Sequence, residues 1–256
     1  MSLAVETHRL TRYFDDFCAV AEIDLKVDRG MFYGFLGPNG AGKSTTIKML
    51  TGLLAPTHGD IRVLGHNMLS PRESLTAKSK MGVVPEDLAL FDNLTAREYL
   101  TFIGRMYLLP RETIRLRIGE LLDLLELKSD EKKLTLEYSH GMKKKLALAA
   151  ALLPNPDLLF LDEPFEGVDA VTSRTIRDLL AGYVTRGCTI FLTSHVLEIV
   201  EKLCSDVGMI VKGELVEQTS LAEIRQAGSL EDRFLKRAGA DHAATATLTW
   251  LGEAPP

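Results

Sequence analysis

Eight residues constrain this chain more than any others. Gly37-Pro38-Asn39-Gly40-Ala41-Gly42-Lys43-Ser44 fills every fixed position of the pattern G-x-x-x-x-G-K-[ST]. An apolar run, Met31–Leu36, leads into it, and a helical pattern from Lys43 to Leu53 follows. Strand, glycine loop and helix is the order in which such a loop cradles phosphate. Glycines let the backbone curl until successive N–H groups point inward, and the helix start adds partial positive charge. Lys43 is then placed to reach the β- and γ-phosphates of a nucleotide, with the Ser44 hydroxyl in a Mg²⁺ shell. An incidental Gly-Lys-Ser in a glycine-rich turn would not need the remaining positions filled.

A second segment fits the same chemistry. Leu158-Leu159-Phe160-Leu161-Asp162-Glu163 reads as an apolar strand that ends in two carboxylates. Such a strand is buried on both faces and delivers polar groups at its C-terminal edge, where open α/β sheets bind ligands. Asp162 suits a Mg²⁺ partner, and Glu163 suits polarisation of an attacking water. A helix N-cap pair after a strand is the simpler alternative. Leu192-Thr193-Ser194-His195 ends another strand at the matching edge, so His195 is a catalytic candidate rather than a core histidine.

The intervening pattern changes period. Short β-like runs, Ala19–Val27 and Asp60–Val63, occupy the first part of the chain with Met31–Leu36. From Leu94 to Leu127 the spacing is helical, with Pro110 between two stripes, which predicts a mostly helical lobe. Alternation then resumes: helix Lys143–Leu153, strand Leu158–Asp162, helix Thr172–Val184, strand Thr189–Thr193, helix Val196–Leu203 and strand Val207–Val211. Strands separated by helices predict an α/β fold with a mainly parallel sheet. From Ala238 onward little pattern remains, and Trp250 is expected in a frayed end.

Charge and cysteine usage narrow the partners. The formal net charge of −5 argues against a broad nucleic-acid footprint. The longest apolar run, Leu146–Leu153, is far short of the roughly 18–20 residues that span a bilayer. The opening MSLAVETHRL lacks the apolar centre of a signal peptide. Cys18, Cys188 and Cys204 form no C-x-x-C pair, and no histidine spacing suits zinc. A soluble cytoplasmic chain is expected.

Taken together, residues 3–235 resemble the ATP-binding subunit of ABC transporters. In that resemblance Gly37–Ser44 is the Walker A loop and Leu158–Glu163 the Walker B strand with its glutamate. Ser139-His140-Gly141-Met142 looks like the signature motif, Glu166-Gly167-Val168-Asp169 the D-loop, and His195 the switch histidine. The resemblance implies a P-loop NTPase with an N-terminal antiparallel β subdomain, a mainly parallel sheet and an inserted helical lobe. The ATPase domain would cover 3–235, the lobe about 92–142, and a C-terminal tail 236–256. ATP and Mg²⁺ would be held by Tyr13 under the adenine, Gly37, Pro38, Asn39, Gly40, Ala41, Gly42, Lys43, Ser44 and Thr45. Ser44, Glu86 and Asp162 would serve the metal. Lys43, Glu163 and His195 would be catalytic.

Two departures stand out. The usual Leu-Ser-Gly-Gly-Gln is replaced by Tyr138-Ser139-His140-Gly141-Met142, which is similar to ABC-2 type exporters. Glu86 follows Val83-Val84-Pro85 where the family commonly has glutamine; it keeps an oxygen for Mg²⁺ but adds charge and loses a donor. The resemblance also implies a second ATP-binding subunit, identical or paralogous, whose nucleotide is capped by Ser139–Met142. Integral-membrane permease subunits would dock near Glu86–Tyr107, with Phe91, Leu94 and Tyr99 as candidates. The chain would then be peripheral on the inner face of the membrane. A soluble ABC ATPase in assembly, translation or DNA repair is the alternative.

Overall fold

The computed structural model describes residues 2–239; Trp250 and everything from residue 240 lie outside them. Two sheets organise the chain. The first is five-stranded and antiparallel. It contains β1 (Leu3–Phe14), β2 (Phe17–Ile23), β3 (Lys26–Asp28), β5 (His58–Val63) and β6 (His66–Asn67). The second has six strands in the order β11-β10-β4-β9-β8-β7. These are β4 (Phe32–Leu36), β7 (Met81–Val84), β8 (Leu158–Asp162), β9 (Thr189–Ser194), β10 (Asp206–Val211) and β11 (Glu214–Ser220). All its pairings are parallel except β10–β11. The helices are α1 (Lys43–Leu50), α2 (Pro71–Lys78), α3 (Ala96–Met106), α4 (Arg111–Leu124), α5 (His140–Leu152), α6 (Ala170–Thr185), α7 (Leu197–Leu203), α8 (Leu221–Ala227) and α9 (Leu230–Ala238).

The parallel strands are apolar on both faces, so alternate residues enter different cores. Leu36, Leu159, Leu161, Ile190 and Leu192 join the core shared with α3–α6. Tyr33, Phe35, Leu158, Phe160 and Phe191 join the core beneath α1 and the antiparallel sheet. Phe191 centres an aromatic group there, with Tyr33, Phe35 and Phe160 rings at 5.4, 5.4 and 5.5 Å. This clamps the strands whose C-terminal ends carry the phosphate loop, Asp162-Glu163 and His195.

Several local expectations need correction. The run Ala19–Val27 is not one strand: it divides into β2 and β3, with Glu22 in the left-handed region at φ 46°. α1 stops at Leu50, and Gly52 at φ 67° turns the chain away before Leu53. α5 begins at His140 rather than Lys143, because the Ser139 hydroxyl accepts the Met142 amide at 3.2 Å and caps the helix. α6 likewise begins at Ala170, capped by Asp169, rather than at Thr172. α9 runs through residue 236, where a tail was expected to start.

The helical lobe follows its start and stop signals. α3 opens with a capping box: the Thr95 amide donates to Glu98 Oε2 at 2.9 Å, and Thr95 Oγ1 accepts the Glu98 amide at 3.3 Å. Pro110 sits at the N-cap of α4, as its missing N–H allows. α3 and α4 cross closely at Gly104, where an added Cβ would meet Ile114 at 2.7 Å.

Candidate functional site

At the C-terminal edge of the parallel sheet lies a cleft of about 410 Å³. Asn39, Gly40, Gly42, Lys43, Ser44 and Thr45 line one wall, Glu163, Glu166 and His195 another, Glu86 a third, and Phe14, Phe17 and Ala19 the rim. The loop needs its glycines here. Gly42 has φ 105°, and a Cβ there would lie 2.5 Å from the Ala19 carbonyl oxygen. α1 starts at the next residue, so its first-turn amides have no partner within the helix and serve as anion donors.

Lys43 is buried and donates to the Gly37 and Pro38 carbonyls at 2.8 and 3.3 Å. Gly37 and Pro38 thus hold the lysine rather than line the cleft, and Ala41 is buried behind it. Lys43 Nζ also stands 3.9 Å from Glu163 Oε1. Ser44 Oγ donates to Glu86 Oε2 at 3.1 Å.

The two carboxylates ending β8 diverge, as adjacent strand residues must. Asp162 is buried behind the cleft wall and its Oδ1 accepts from Thr193 Oγ1 at 2.5 Å. Glu163 turns into the cleft on a left-handed backbone at φ 47°, an unfavourable region for a residue with a Cβ. Its amide donates to the same Thr193 hydroxyl at 3.1 Å. Glu163 Oε2 lies 3.0 Å from His195 Nδ1, while Oε1 is buried without a hydrogen-bond partner.

A family profile described as "ABC transporter" matches residues 20–166. The chain belongs to the ABC transporter family.

Among individual relatives, this ABC cassette is 36% identical to the bacitracin transport ATP-binding protein BcrA of Bacillus licheniformis, over 88% of its own length and 72% of that protein. It is 36% identical to the daunorubicin/doxorubicin resistance ATP-binding protein DrrA of Streptomyces peucetius, over 87% of its length and 67% of that protein. A solved structure of the ATP-binding subunit of an ABC transporter superposes with a TM-score of 0.86 at 28% identity, covering 92% of this chain and 99% of the other.

Ser139, His140, Gly141 and Met142, expected to act on the nucleotide of a second subunit, do not line this cleft and open α5. Asp169 is also elsewhere, and its carboxylate accepts the Thr172 and Val171 amides at 2.9 and 3.0 Å as the cap of α6. Those hydrogen bonds, Thr172 first, hold its pKa below the ordinary aspartate value. His140 packs against Gly167, where an added Cβ would come within 3.0 Å of its ring. Tyr13 does not line the cleft; the neighbouring Phe14 does, with Phe17 paired opposite it across the hairpin.

Four residues that line the cleft, Phe14, Phe17, Ala19 and Glu166, have no site role in the sequence reading, and neither does Thr193 behind the wall. Period-2 alternation was the available signal for Phe14, since adjacent strand residues face opposite sides. Thr193 lay inside the Leu192–His195 segment, but its two bonds across to β8 depend on strand pairing.

Proposed function

We propose that this cassette binds and hydrolyses ATP to power export through a separate membrane permease, acting as one of two cassettes that close around nucleotide. The observation that carries this reading is Glu163 Oε1, buried, without a hydrogen-bond partner and 3.9 Å from Lys43 Nζ at the phosphate-loop wall. A buried carboxylate oxygen with no hydrogen bond is costly in an ordinary core and useful where a water must lose a proton. Water would attack the γ-phosphorus in line, Glu163 Oε1 would take its proton, and the bond to the β–γ bridging oxygen would break. Lys43 and the α1 amides would hold the displaced charge, and His195 would fix the other carboxylate oxygen.

Bound Mg²⁺ would supply Lewis-acid stabilisation of the phosphoryl oxygens. Ser44 Oγ and Glu86 Oε2, 3.1 Å apart, are oxygen donors of the kind Mg²⁺ takes and would hold it. Asp162, behind the wall, would act on the metal through water. Phe14 and Phe17 take over the adenine platform assigned to Tyr13.

Ser139 is exposed beside the free amides of α5, a suitable cap for the γ-phosphate on a second cassette. Export is supported by the transport and resistance names of BcrA and DrrA and by the Ser-His-Gly-Met signature. Among the described residues no helix is long and apolar enough to cross a membrane, and the permease would provide the path. The cassette would sit at the cytoplasmic face. In this reading the ATPase domain runs from residue 3 through the end of α9, with 92–142 as the lobe that the permease contacts.

Glu163→Gln tests the reading. Phosphate release should fall by about 10²–10⁴-fold to a residual rate readable in single-turnover assays while ATP binding is kept, and ATP should drive the variant into a dimer on size-exclusion chromatography. Near-normal turnover would remove Glu163 from the proposed step.

A further inference from the structure

Three consecutive lysines follow the first residues of α5, and they point to different partners. Lys143 Nζ lies 3.9 Å from Asp92 Oδ1, and Lys145 Nζ lies 3.3 Å from Glu126 Oε2; both tie the helix to the lobe. Lys144 turns inward. It is 4% exposed, and its Nζ donates to the backbone carbonyl of Glu163 at 2.9 Å. It begins the buried stripe Lys144, Ala147, Leu148 and Ala151, where an apolar residue would pack without desolvating a charge.

No carboxylate among the described residues forms an ion pair with Lys144. Burial pulls its pKa below the ordinary lysine value, and the more distant Glu166, Glu163 and Glu86 push it back up. The direct contact is therefore with one peptide carbonyl, and that carbonyl belongs to the residue with the strained backbone. Every polar part of Glu163 is tethered except Oε1. The amide is held by Thr193, the carbonyl by Lys144 and by the Glu166 amide at 3.3 Å, and Oε2 by His195. A left-handed conformation persists only where its surroundings over-determine it.

We propose that Lys144 is a positioning residue, whose ammonium fixes the Glu163 carbonyl and so the backbone that aims the carboxylate into the phosphate-loop cleft. The helix that starts at Ser139 thereby becomes part of the support of Glu163. This inference rests on Glu163 being the group that activates water.

The test compares the full-length chain with Lys144→Met, Lys144→Arg, Glu163→Gln and the double variant Lys144→Met/Glu163→Gln, by MgATP hydrolysis, ATP binding and thermal melting. Lys144→Met, which keeps the stem and loses the donor, should lower kcat about tenfold or more, with KM and ATP affinity within about twofold. Lys144→Arg should recover at least about a third of the wild-type rate by restoring a cationic donor. In the Glu163→Gln background the methionine should change residual hydrolysis by less than about twofold, as coupling through Glu163 requires.

An unchanged kcat in Lys144→Met overturns the proposal. So does an equal fall in the Glu163→Gln background, or a parallel loss of ATP affinity, either of which marks a general structural role. If Lys144→Met fails to melt cooperatively, Lys144→Gln replaces it; an unchanged kcat there overturns the proposal equally. Wild-type turnover by Glu163→Gln alone would overturn the underlying reading instead.

Discussion

His195 Nδ1 lies 3.0 Å from Glu163 Oε2, and the His195 amide approaches the same oxygen at 3.4 Å. One carboxylate oxygen is thus occupied from β9 while the other is left bare beside Lys43. This division makes the histidine an aiming device for the glutamate as well as a group that can meet phosphate. Nearly half of the His195 side chain is exposed, so its ring can leave Glu163 without disturbing the core.

His195→Ala should therefore lower ATP turnover about a hundredfold while leaving melting unchanged. Steady-state phosphate release measures the first, and circular dichroism on heating the second. A fall below threefold would make the Glu163 contact incidental.

The rim of the cleft predicts which aromatic residue serves the base. The Arg12 guanidinium lies 4.6 Å from the Phe14 ring centre, which occupies one face of that ring, whereas Phe17 is 65% exposed. Base–aromatic stacking contributes about 1–3 kcal/mol, so Phe17→Ala should weaken ATP binding by roughly 5- to 160-fold. Binding of tripolyphosphate, which lacks a base, should not change. Tyr13→Ala should alter ATP binding less than twofold; the opposite ranking in fluorescence titrations would return the platform to Tyr13.

What the sequence made legible was local or terminal. The phosphate loop is contiguous, and Asp162, Glu163 and His195 stand at the ends of apolar strands whose direction follows from the alternation with helices. Thr193 and Lys144 were illegible for a shared reason. Their roles come from hydrogen bonds between elements distant in sequence, 31 residues apart for Thr193–Asp162 and 19 for Lys144–Glu163. A run of lysines also reads as a solvated face unless its register with Ala147, Leu148 and Ala151 is followed. The parallel core was plain from its Leu-, Ile- and Phe-rich strands. β1 and β11 were missed because their polar faces dilute the apolar pattern.

Glu86 should reveal itself through metal dependence. Its Oε2 shares a hydrogen bond with Ser44, and the carboxylate would bring a full negative charge to the metal shell where an amide brings only a dipole. Glu86→Gln should raise the Mg²⁺ concentration for half-maximal ATPase activity several-fold, and Glu86→Ala should raise it further. These shifts are read from Mg²⁺ titrations at fixed ATP. Identical curves for wild type and both variants would take Glu86 out of the metal site.

The C-terminal helices offer a separate test of the fold's electrostatics. Glu217 on β11 has a side chain only 8% exposed, with Arg233 Nη2 2.5 Å from Oε1 and Arg237 Nε 2.7 Å from Oε2, both from α9. Burial raises its pKa, and the two guanidiniums more than reverse this, leaving it below the ordinary 4.5. The folded state therefore holds this proton less tightly than the unfolded chain does. The stabilisation is complete above about pH 4.5 and is lost as pH falls through the depressed folded value. Because the arginine side chains are 32% and 49% exposed, the pair contributes about 1 kcal/mol. Glu217→Gln should lower the urea midpoint at pH 7, and its gap to wild type should narrow as pH falls below about 4.5. A gap independent of pH would assign the loss to packing of α9 rather than to charge.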